Sequence, residues 1–255
     1  ISGLVNTPDQ LYLNVKFEDI QLLNNARESA LSRGIIIDEK ELSVKAKLSI
    51  GNNQYKVKLS PTGLNLDMIG SINKRAYKVK VLEGKKIYGM EEFKLLPPVS
   101  RHHIVEWVGH ALEDKEGLNS QEYFFVEVTL NGNDLGVYAI EFFNKGLLEN
   151  RKAHEGIIFS AKLNRIRIFN EKKISKDINN RNRIRLLQSA LQSVNNNEME
   201  IDRIFDLEKF AAQFAIIDLM SGYHAVSGQN AFYYFNPITN LIEPITREYN
   251  SLRYS

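Results

Sequence analysis

The sequence contains no cysteine, which excludes disulfide bonds, thiolate zinc sites and cysteine nucleophiles. It has no uncharged apolar run of the roughly 18 to 20 residues that a membrane-spanning helix needs, so we expect no membrane span within this segment. An excess of one charge is also missing, because 33 Lys and Arg stand against 31 Asp and Glu. Sequence-independent nucleic-acid binding needs a broad basic surface, and we therefore expect no nucleic-acid partner.

Apolar residues are plentiful enough for a folded chain. The 255 residues, of which 43% are hydrophobic, are sufficient for one large domain or two coupled lobes with a sizeable core. The chain begins at Ile1 rather than at an initiator Met and ends soon after a motif-rich segment. We therefore expect a fragment or processed piece of a longer protein.

Hydrophobic periodicity predicts most of the strands in the first part of the chain. Runs that alternate between apolar and polar residues predict strands at 11–17, 42–50, 54–59, 76–82, 122–130 and 135–143. Short polar connections with glycine, at 51–53 and 131–134, predict hairpins. A further strand is predicted at 156–162. The first part should therefore form a largely antiparallel sheet.

Apolar residues at spacings of three and four predict helices, at 18–33, from about 100 to 113, at 182–194 and at 207–220. A hairpin is predicted around residues 236–240. The predicted fold class is α+β, with two lobes. Residues 1–143 would form an N-terminal antiparallel β-rich lobe with a helix, and 144–255 a C-terminal, mainly helical lobe with a β-hairpin that is possibly truncated.

Some residues have the chemistry that phosphoryl transfer requires, namely cations for the phosphates and an acid that orients them. Lys78 and Lys80 lie on one face of a predicted strand. Glu106 lies among apolar residues on a predicted helix. The more ordinary interpretation is a pair of solvated lysines and an exposed helical glutamate.

A second polar group occurs near the C-terminal end of the sequence. His224, Asn230, Glu248 and Asn250 cluster around the predicted hairpin. Amide and carboxylate oxygens suit Mg²⁺, and a loop histidine can accept a proton near neutral pH. The alternative is that the asparagines are turn residues and that His224 is a hydrogen-bonded loop residue. The adjoining His102 and His103 lack partners at metal-ligand spacing and are predicted to be surface residues.

Several short motifs occur in a fixed order between about residues 11 and 250. They are Lys74-Arg-Ala-Tyr-Lys78, Gly89-Met-Glu-Glu-Phe-Lys-Leu95, Pro97-Pro98 with Arg101, Asn131-Gly132, Gly136-Val-Tyr-Ala-Ile-Glu141, the run from His224 to Asn230, Tyr233-Tyr234, Asn236-Pro237 and Glu243-Pro244-Ile245. This ordered set resembles the CotH kinase family, which is named for a bacterial spore-coat protein and has an atypical protein-kinase-like fold.

The resemblance implies an atypical protein kinase that transfers the γ-phosphate of ATP, with Mg²⁺ or Mn²⁺, to Ser or Thr of a bacterial surface or coat protein. Its partners would be the nucleotide and that protein substrate, at the cell surface, envelope or spore coat rather than in the cytoplasm. The implied residues are Lys74, Lys78, Lys80, Glu106 and Glu141 for the cofactor, His224 and Asp218 for catalysis, and Asn230, Glu248 and Asn250 for the metal.

The chain departs from the family pattern at two places. Many members have an aspartate a few residues before the position of Asn230, where this chain has His224-Ala225. They also have an aspartate after the Pro-Ile turn, where this chain has Glu248. These departures leave a second hypothesis open, a catalytically inactive nucleotide-binding pseudokinase or a scaffold or binding module of the cell envelope.

Overall fold

The chain forms two compact units in a computed structural model that describes residues 7–33, 42–62, 74–142, 156–162, 165–226 and 231–249. The first unit comprises residues 1–104 and 122–143, and the second comprises 105–121 and 144–255. The predicted boundary between residues 143 and 144 lies outside the described residues and stays a prediction.

The first unit is built around a closed β-barrel. Its strands are β1 (Asp9–Val15), β2 (Val44–Ile50), β3 (Asn53–Pro61), β4 (Tyr77–Val81), β5 (Glu92–Leu96), β6 (Glu122–Leu130) and β7 (Asn133–Phe142). They close in the order β1-β2-β3-β4-β5-β7-β6. Strands β1 and β6 are parallel, whereas the other neighbours are antiparallel. Helix α1 (Phe17–Arg33) follows β1.

Side-chain alternation decides which residues fill the barrel. On β4 the side chains of Tyr77, Val79 and Val81 are buried, while those of Lys78 and Lys80 between them are exposed. This is the period of two that a strand imposes when one of its faces is covered. Closure of the barrel then pairs both edges of the sheet, so that no strand edge is left open to another chain.

The second unit combines helices with a smaller sheet. Its elements are α2 (Val105–Lys115), β8 (Ile157–Lys162), β9 (Arg165–Ile168), α3 (Glu171–Ile174), α4 (Ile178–Asn195), α5 (Leu207–Met220), β10 (Phe232–Phe235) and β11 (Ile242–Ile245). The four strands are antiparallel in the order β11-β10-β8-β9. No helix within the described ranges is both long and apolar enough to cross a membrane.

Two apolar clusters hold this second unit together. One includes Ile157 of β8, Leu187 of α4 and Phe235 of β10. The other includes Ile217 of α5 and Tyr249, which follows β11. The second cluster also packs residues of α2, so that α2 and the end of the described chain share one core.

The prediction of a two-lobed kinase-like fold with a mainly helical C-terminal lobe is wrong. The N-terminal strands close into a mixed barrel, because β1 pairs with β6 in parallel as well as with β2. In the second unit the predicted hairpin extends to a four-stranded sheet through β8 and β9. Alternation within a strand shows that one face is buried, but it does not specify the partner strand.

The N-terminus of α2 also differs from the prediction. Ser100 does not begin an α-helix; it lies in a 3₁₀ turn, Pro98–Arg101, and its hydroxyl donates to the carbonyl of Pro97 at 2.7 Å. Helix α2 begins at Val105. Glu106 consequently lies in its first turn.

Candidate functional site

Glu106 is fully buried and binds the backbone near the end of the described chain. Its Oε1 accepts a hydrogen bond from the backbone N–H of Glu248 at 2.7 Å, and its Oε2 accepts one from the N–H of Tyr249 at 2.8 Å. The ordinary expectation of an exposed helical glutamate is therefore wrong here. The carboxylate instead fixes two consecutive peptide units of the 248–249 segment.

Two further side chains of α2, His110 and Glu113, extend this buried polar group. The Nε2 of His110 lies 3.2 Å from Oε1 of Glu106, and its Nδ1 lies 2.8 Å from Oε2 of Glu113. Burial by itself lowers the pKa of His110, but hydrogen bonds and negative charge from Glu106 and Glu113 raise that pKa overall to about 9. At neutral pH the ring is thus an imidazolium that donates to both carboxylates.

Tyr249 packs against two glycines beside this group. A Cβ on Gly109 would lie 2.4 Å from the Tyr249 ring, and a Cβ on Gly222 would lie 2.9 Å from it. The ring also meets that of His110 edge-on, with 5.5 Å between the centroids. Burial and the nearby Glu113 carboxylate raise the pKa of Tyr249. The Tyr249 ring therefore fits here because residues 109 and 222 have no side chains.

Substituting Gly109 with alanine is expected to lower the free energy of unfolding by about 1–2 kcal/mol, because overpacking outweighs the better helix propensity of alanine. Thermal or denaturant unfolding would measure the loss. Lys115→Ala, an exposed change on the same helix, should shift stability by less than about 0.5 kcal/mol. A Gly109→Ala protein as stable as the wild type would contradict this packing.

Glu248 and His224 form a partly buried pair in the same unit. The Nε2 of His224 lies 3.1 Å from Oε2 of Glu248, and Oε1 of Glu248 lies 3.9 Å from the guanidinium of Arg247. Glu248 has a φ of +63°, a left-handed conformation that is uncommon for residues other than glycine. Glu106 accepts the N–H of this same residue. The structure thus brings together three predicted site residues, Glu106, His224 and Glu248.

The other predicted catalytic and metal residues have different surroundings. Asp218 is exposed on α5 and accepts a hydrogen bond from the hydroxyl of Tyr223 at 2.5 Å. Asn230 and Asn250 lie outside the described residues. Among the described residues, no group of three or more His, Asp or Glu is arranged to hold a metal ion. Of the three predicted metal ligands, the structure therefore describes Glu248.

The predicted cofactor residues of the barrel unit are engaged in separate contacts. Lys78 forms an ion pair with Glu92 at 2.8 Å on the outer face, and Lys80 is exposed nearby. Glu141 is buried and pairs with Lys94 at 2.7 Å and with Arg101 at 2.9 Å. Burial would raise the pKa of Glu141, but the two cations hold it well below its usual range.

Glu141→Gln is expected to lower the free energy of unfolding by about 2 kcal/mol at neutral pH, because it weakens hydrogen bonds to two cations. The folded-state pKa of Glu141 is depressed, so its stabilisation is present above the unfolded value near 4.5 and is lost as the pH falls below it. Acid unfolding curves should therefore be less steep for the variant. Equal slopes in the two proteins would contradict the assignment.

Sequence reasoning missed a second buried carboxylate in the second unit. Glu243 of β11 accepts hydrogen bonds from Asn119 at 3.0 Å and Asn236 at 2.7 Å, and Lys209 lies 2.9 Å away. Burial lowers the pKa of Lys209, but Glu243 and Asp206 raise it overall. Glu243 thus joins α5 and the segment after α2 to the β10–β11 hairpin.

His110 and Glu113 were also missed, although the sequence carries a signal for them. Residues 106, 110 and 113 are spaced by four and three, and this spacing places them on one face of a helix. On such a face a protonated imidazole between two carboxylates partly neutralises their negative charge. That face also contains Gly109, which marks it as closely packed.

The comparison with known families agrees with the ordered motifs. A family model described as CotH kinase protein matches residues 67–247, which is more than half of the chain. The matched range contains the described site residues Glu106, His110, Glu113 and His224, and it ends one residue before Glu248. No curated protein matches the chain.

Proposed function

The chain belongs to the CotH kinase protein family, and we propose that it transfers the γ-phosphoryl group of ATP to a Ser or Thr hydroxyl of a bacterial surface or coat protein. The observation that carries the proposal is the His224–Glu248 pair, at 3.1 Å, on a segment whose backbone is held by the buried Glu106. A hydroxyl is activated in this way when a carboxylate sets the orientation of the base that takes its proton.

In this proposal His224 is the general base. Its ring, oriented by Glu248, accepts the proton. The acceptor hydroxyl loses its proton to the imidazole while its oxygen attacks the γ-phosphorus, and the bond to the leaving ADP oxygen breaks. Glu248 stabilises the imidazolium that forms, as a carboxylate does in other histidine-dependent transfers.

A magnesium ion is compatible with the residues at this site. Mg²⁺ is commonly held by one or two carboxylates together with phosphate oxygens of the nucleotide, and Glu248 provides one carboxylate. Asn230 and Asn250 are the further proposed ligands. When bound, the ion would supply neutralisation of phosphate charge. Glu106 would have a positioning role, because its two oxygens are already used by the peptide N–H groups of 248 and 249.

A second candidate function is nucleotide binding without turnover, or a binding role at the cell envelope. The contacts of two proposed cofactor residues favour it. Lys78 is paired with Glu92, and Glu141 is paired with Lys94 and Arg101, so Lys78 and Glu141 are not paired with each other. The position that is acidic in many family members is also occupied here by His224. Both features fit a member that keeps the family architecture without transfer.

Calorimetric titration with ATP and Mg²⁺ or Mn²⁺, combined with an assay for release or transfer of the γ-phosphate, separates these functions. Nucleotide binding with transfer to a surface or coat protein supports the kinase. Binding without release or transfer supports the pseudokinase and overturns the kinase. No nucleotide binding at all overturns both the kinase and the pseudokinase, and leaves a binding role at the cell envelope.

A further inference from the structure

The barrel unit carries an apolar pocket beside the motif residues Lys74, Pro97, Pro98 and Val137. Its volume is about 490 Å³, within the range of small-molecule sites. Its walls are mainly apolar, and they include Pro97, Pro98, Val99, Ile104, Phe125 and Val137. Several of these side chains are exposed, 54% for Val99 and 60% for Ile104. The pocket therefore offers an apolar surface that water now covers.

One cation, Lys74, borders this apolar surface. Its Nζ lies 5.5 Å from the centre of the Tyr138 ring. No carboxylate among the described residues lies within ion-pair distance of Lys74, whereas Lys78 on the same segment is paired with Glu92. Beside apolar walls an ammonium group attracts an anion more strongly than it does in open water. Lys74 is thus placed to bind an anionic group of a ligand.

The wall that contains Val99 and Ile104 is preformed. The N–H of His103 donates to the carbonyl of Pro98 at 2.8 Å, and that of His102 donates to Val99 at 3.3 Å. Both histidines have positive φ values, 52° and 64°, a conformation that persists only where surrounding contacts impose it. A preformed wall reduces the entropy that a ligand must overcome on binding.

We infer that this pocket binds a small amphipathic anion, an apolar ring or chain that carries one carboxylate, sulfonate or phosphate group, with Lys74 as its counter-ion. The apolar part would cover Val99, Ile104, Phe125 and Val137, and the anionic group would meet the Lys74 ammonium. The charge complementarity and the volume of the pocket carry this inference, and it does not depend on the proposed kinase activity.

Two fluorescent probes that differ in charge test the inference on the full chain. 1-Anilinonaphthalene-8-sulfonate has aromatic rings and one sulfonate, while N-phenyl-1-naphthylamine is its uncharged counterpart. Lys74→Met keeps much of the side-chain length but removes the charge. We expect it to weaken binding of the sulfonate about tenfold or more, and binding of the amine less than about twofold, as loss of one ion pair would do.

Lys78→Met is the matched control, because Lys78 lies on the outer face and has its own partner; it should leave both affinities within about twofold. Val137→Glu, at an exposed pocket position, should weaken binding of the sulfonate probe more than binding of the amine probe. The inference is overturned if Lys74→Met leaves sulfonate binding unchanged or weakens both probes equally, or if the sulfonate does not bind the wild-type protein.

Competition with the sulfonate identifies the natural ligand class. Displacement by ATP, dependent on Lys74, would assign the pocket to the nucleotide of the proposed function. Displacement by aryl or fatty carboxylates but not by ATP would assign it to a separate ligand. The second result supports the inference, whereas the first overturns it, because the pocket would then be the nucleotide site of the proposed function. A protein that transfers no phosphate but shows Lys74-dependent probe binding would overturn the proposed kinase and retain the pocket.

Discussion

Replacement of Glu106 by leucine should lower the free energy of unfolding by about 3–5 kcal/mol, the range found when one partner of a buried charge pair is removed. The carboxylate is fully buried and accepts hydrogen bonds from the N–H groups of Glu248 and Tyr249. It also lies 3.2 Å from the His110 ring. Leucine would leave both N–H groups without that acceptor and the imidazolium with one carboxylate fewer.

Denaturant titration of the two proteins measures this loss. Glu116→Leu, at an exposed position just after α2, is the matched control and should change stability by less than about 0.5 kcal/mol. Glu106→Gln is a second variant of nearly the same shape. Its amide keeps one oxygen acceptor, so it should be less destabilising than leucine. Equal stabilities of Glu106→Leu and Glu116→Leu would contradict the role of this carboxylate.

Alkaline pH should destabilise the protein through His110. The folded-state pKa of about 9 exceeds the ordinary histidine pKa of 6.5, so the stabilisation is fully present below about pH 6.5 and is lost as the pH rises through 9. A difference of this size corresponds to about 3 kcal/mol at most. The groups that face the ring are Glu106, Glu113 and Tyr249.

The free energy of unfolding, measured from pH 6 to pH 9.5, should therefore fall in the wild-type protein. His110→Gln keeps a side chain that can donate a hydrogen bond but cannot take up a proton, so its stability should be lower at pH 6 and nearly constant over the same window. Subtracting the curve of the variant from that of the wild type removes the contribution of every group that titrates in both proteins. A wild-type curve parallel to that of His110→Gln would show that the pKa of His110 is not raised on folding, which would contradict the account.

The strands were predictable because their alternation is local, whereas closure of the barrel is not. The runs that contain β2, β3, β6 and β7 were identified with boundaries within a few residues. The parallel pairing of β1 with β6 joins residues more than 100 positions apart, and no short-range pattern encodes it. Strand β9 does alternate, as Arg-Ile-Arg-Ile, but it is only four residues long and lies in a stretch rich in Lys, Arg and Asn, so it was not identified.

The structure brings together two residues that the sequence had grouped, whereas burial decides the contacts of the others. The pairing of His224 with Glu248 links residues that the sequence had grouped around one hairpin. The burial of Glu106 was not predictable from one carboxylate on a helix, since its backbone partners lie more than 140 residues away. Lys78 and Lys80 have equivalent positions in the sequence pattern, and the structure shows both on the outer face of β4.

Transfer of radiolabelled γ-phosphate from ATP to a surface or coat protein, measured with the full chain and Mg²⁺ or Mn²⁺, tests the central claim most directly. The wild type should transfer label, and Glu248→Gln should reduce the rate roughly 100-fold or more, because it removes the carboxylate that orients the proposed base His224 and stabilises its imidazolium. Asp202→Asn, at an exposed position with no proposed role in the site, serves as the comparison at the same ATP concentration and should lose far less. Absence of transfer by the wild type, or equal rates in wild type and Glu248→Gln, would contradict the claim.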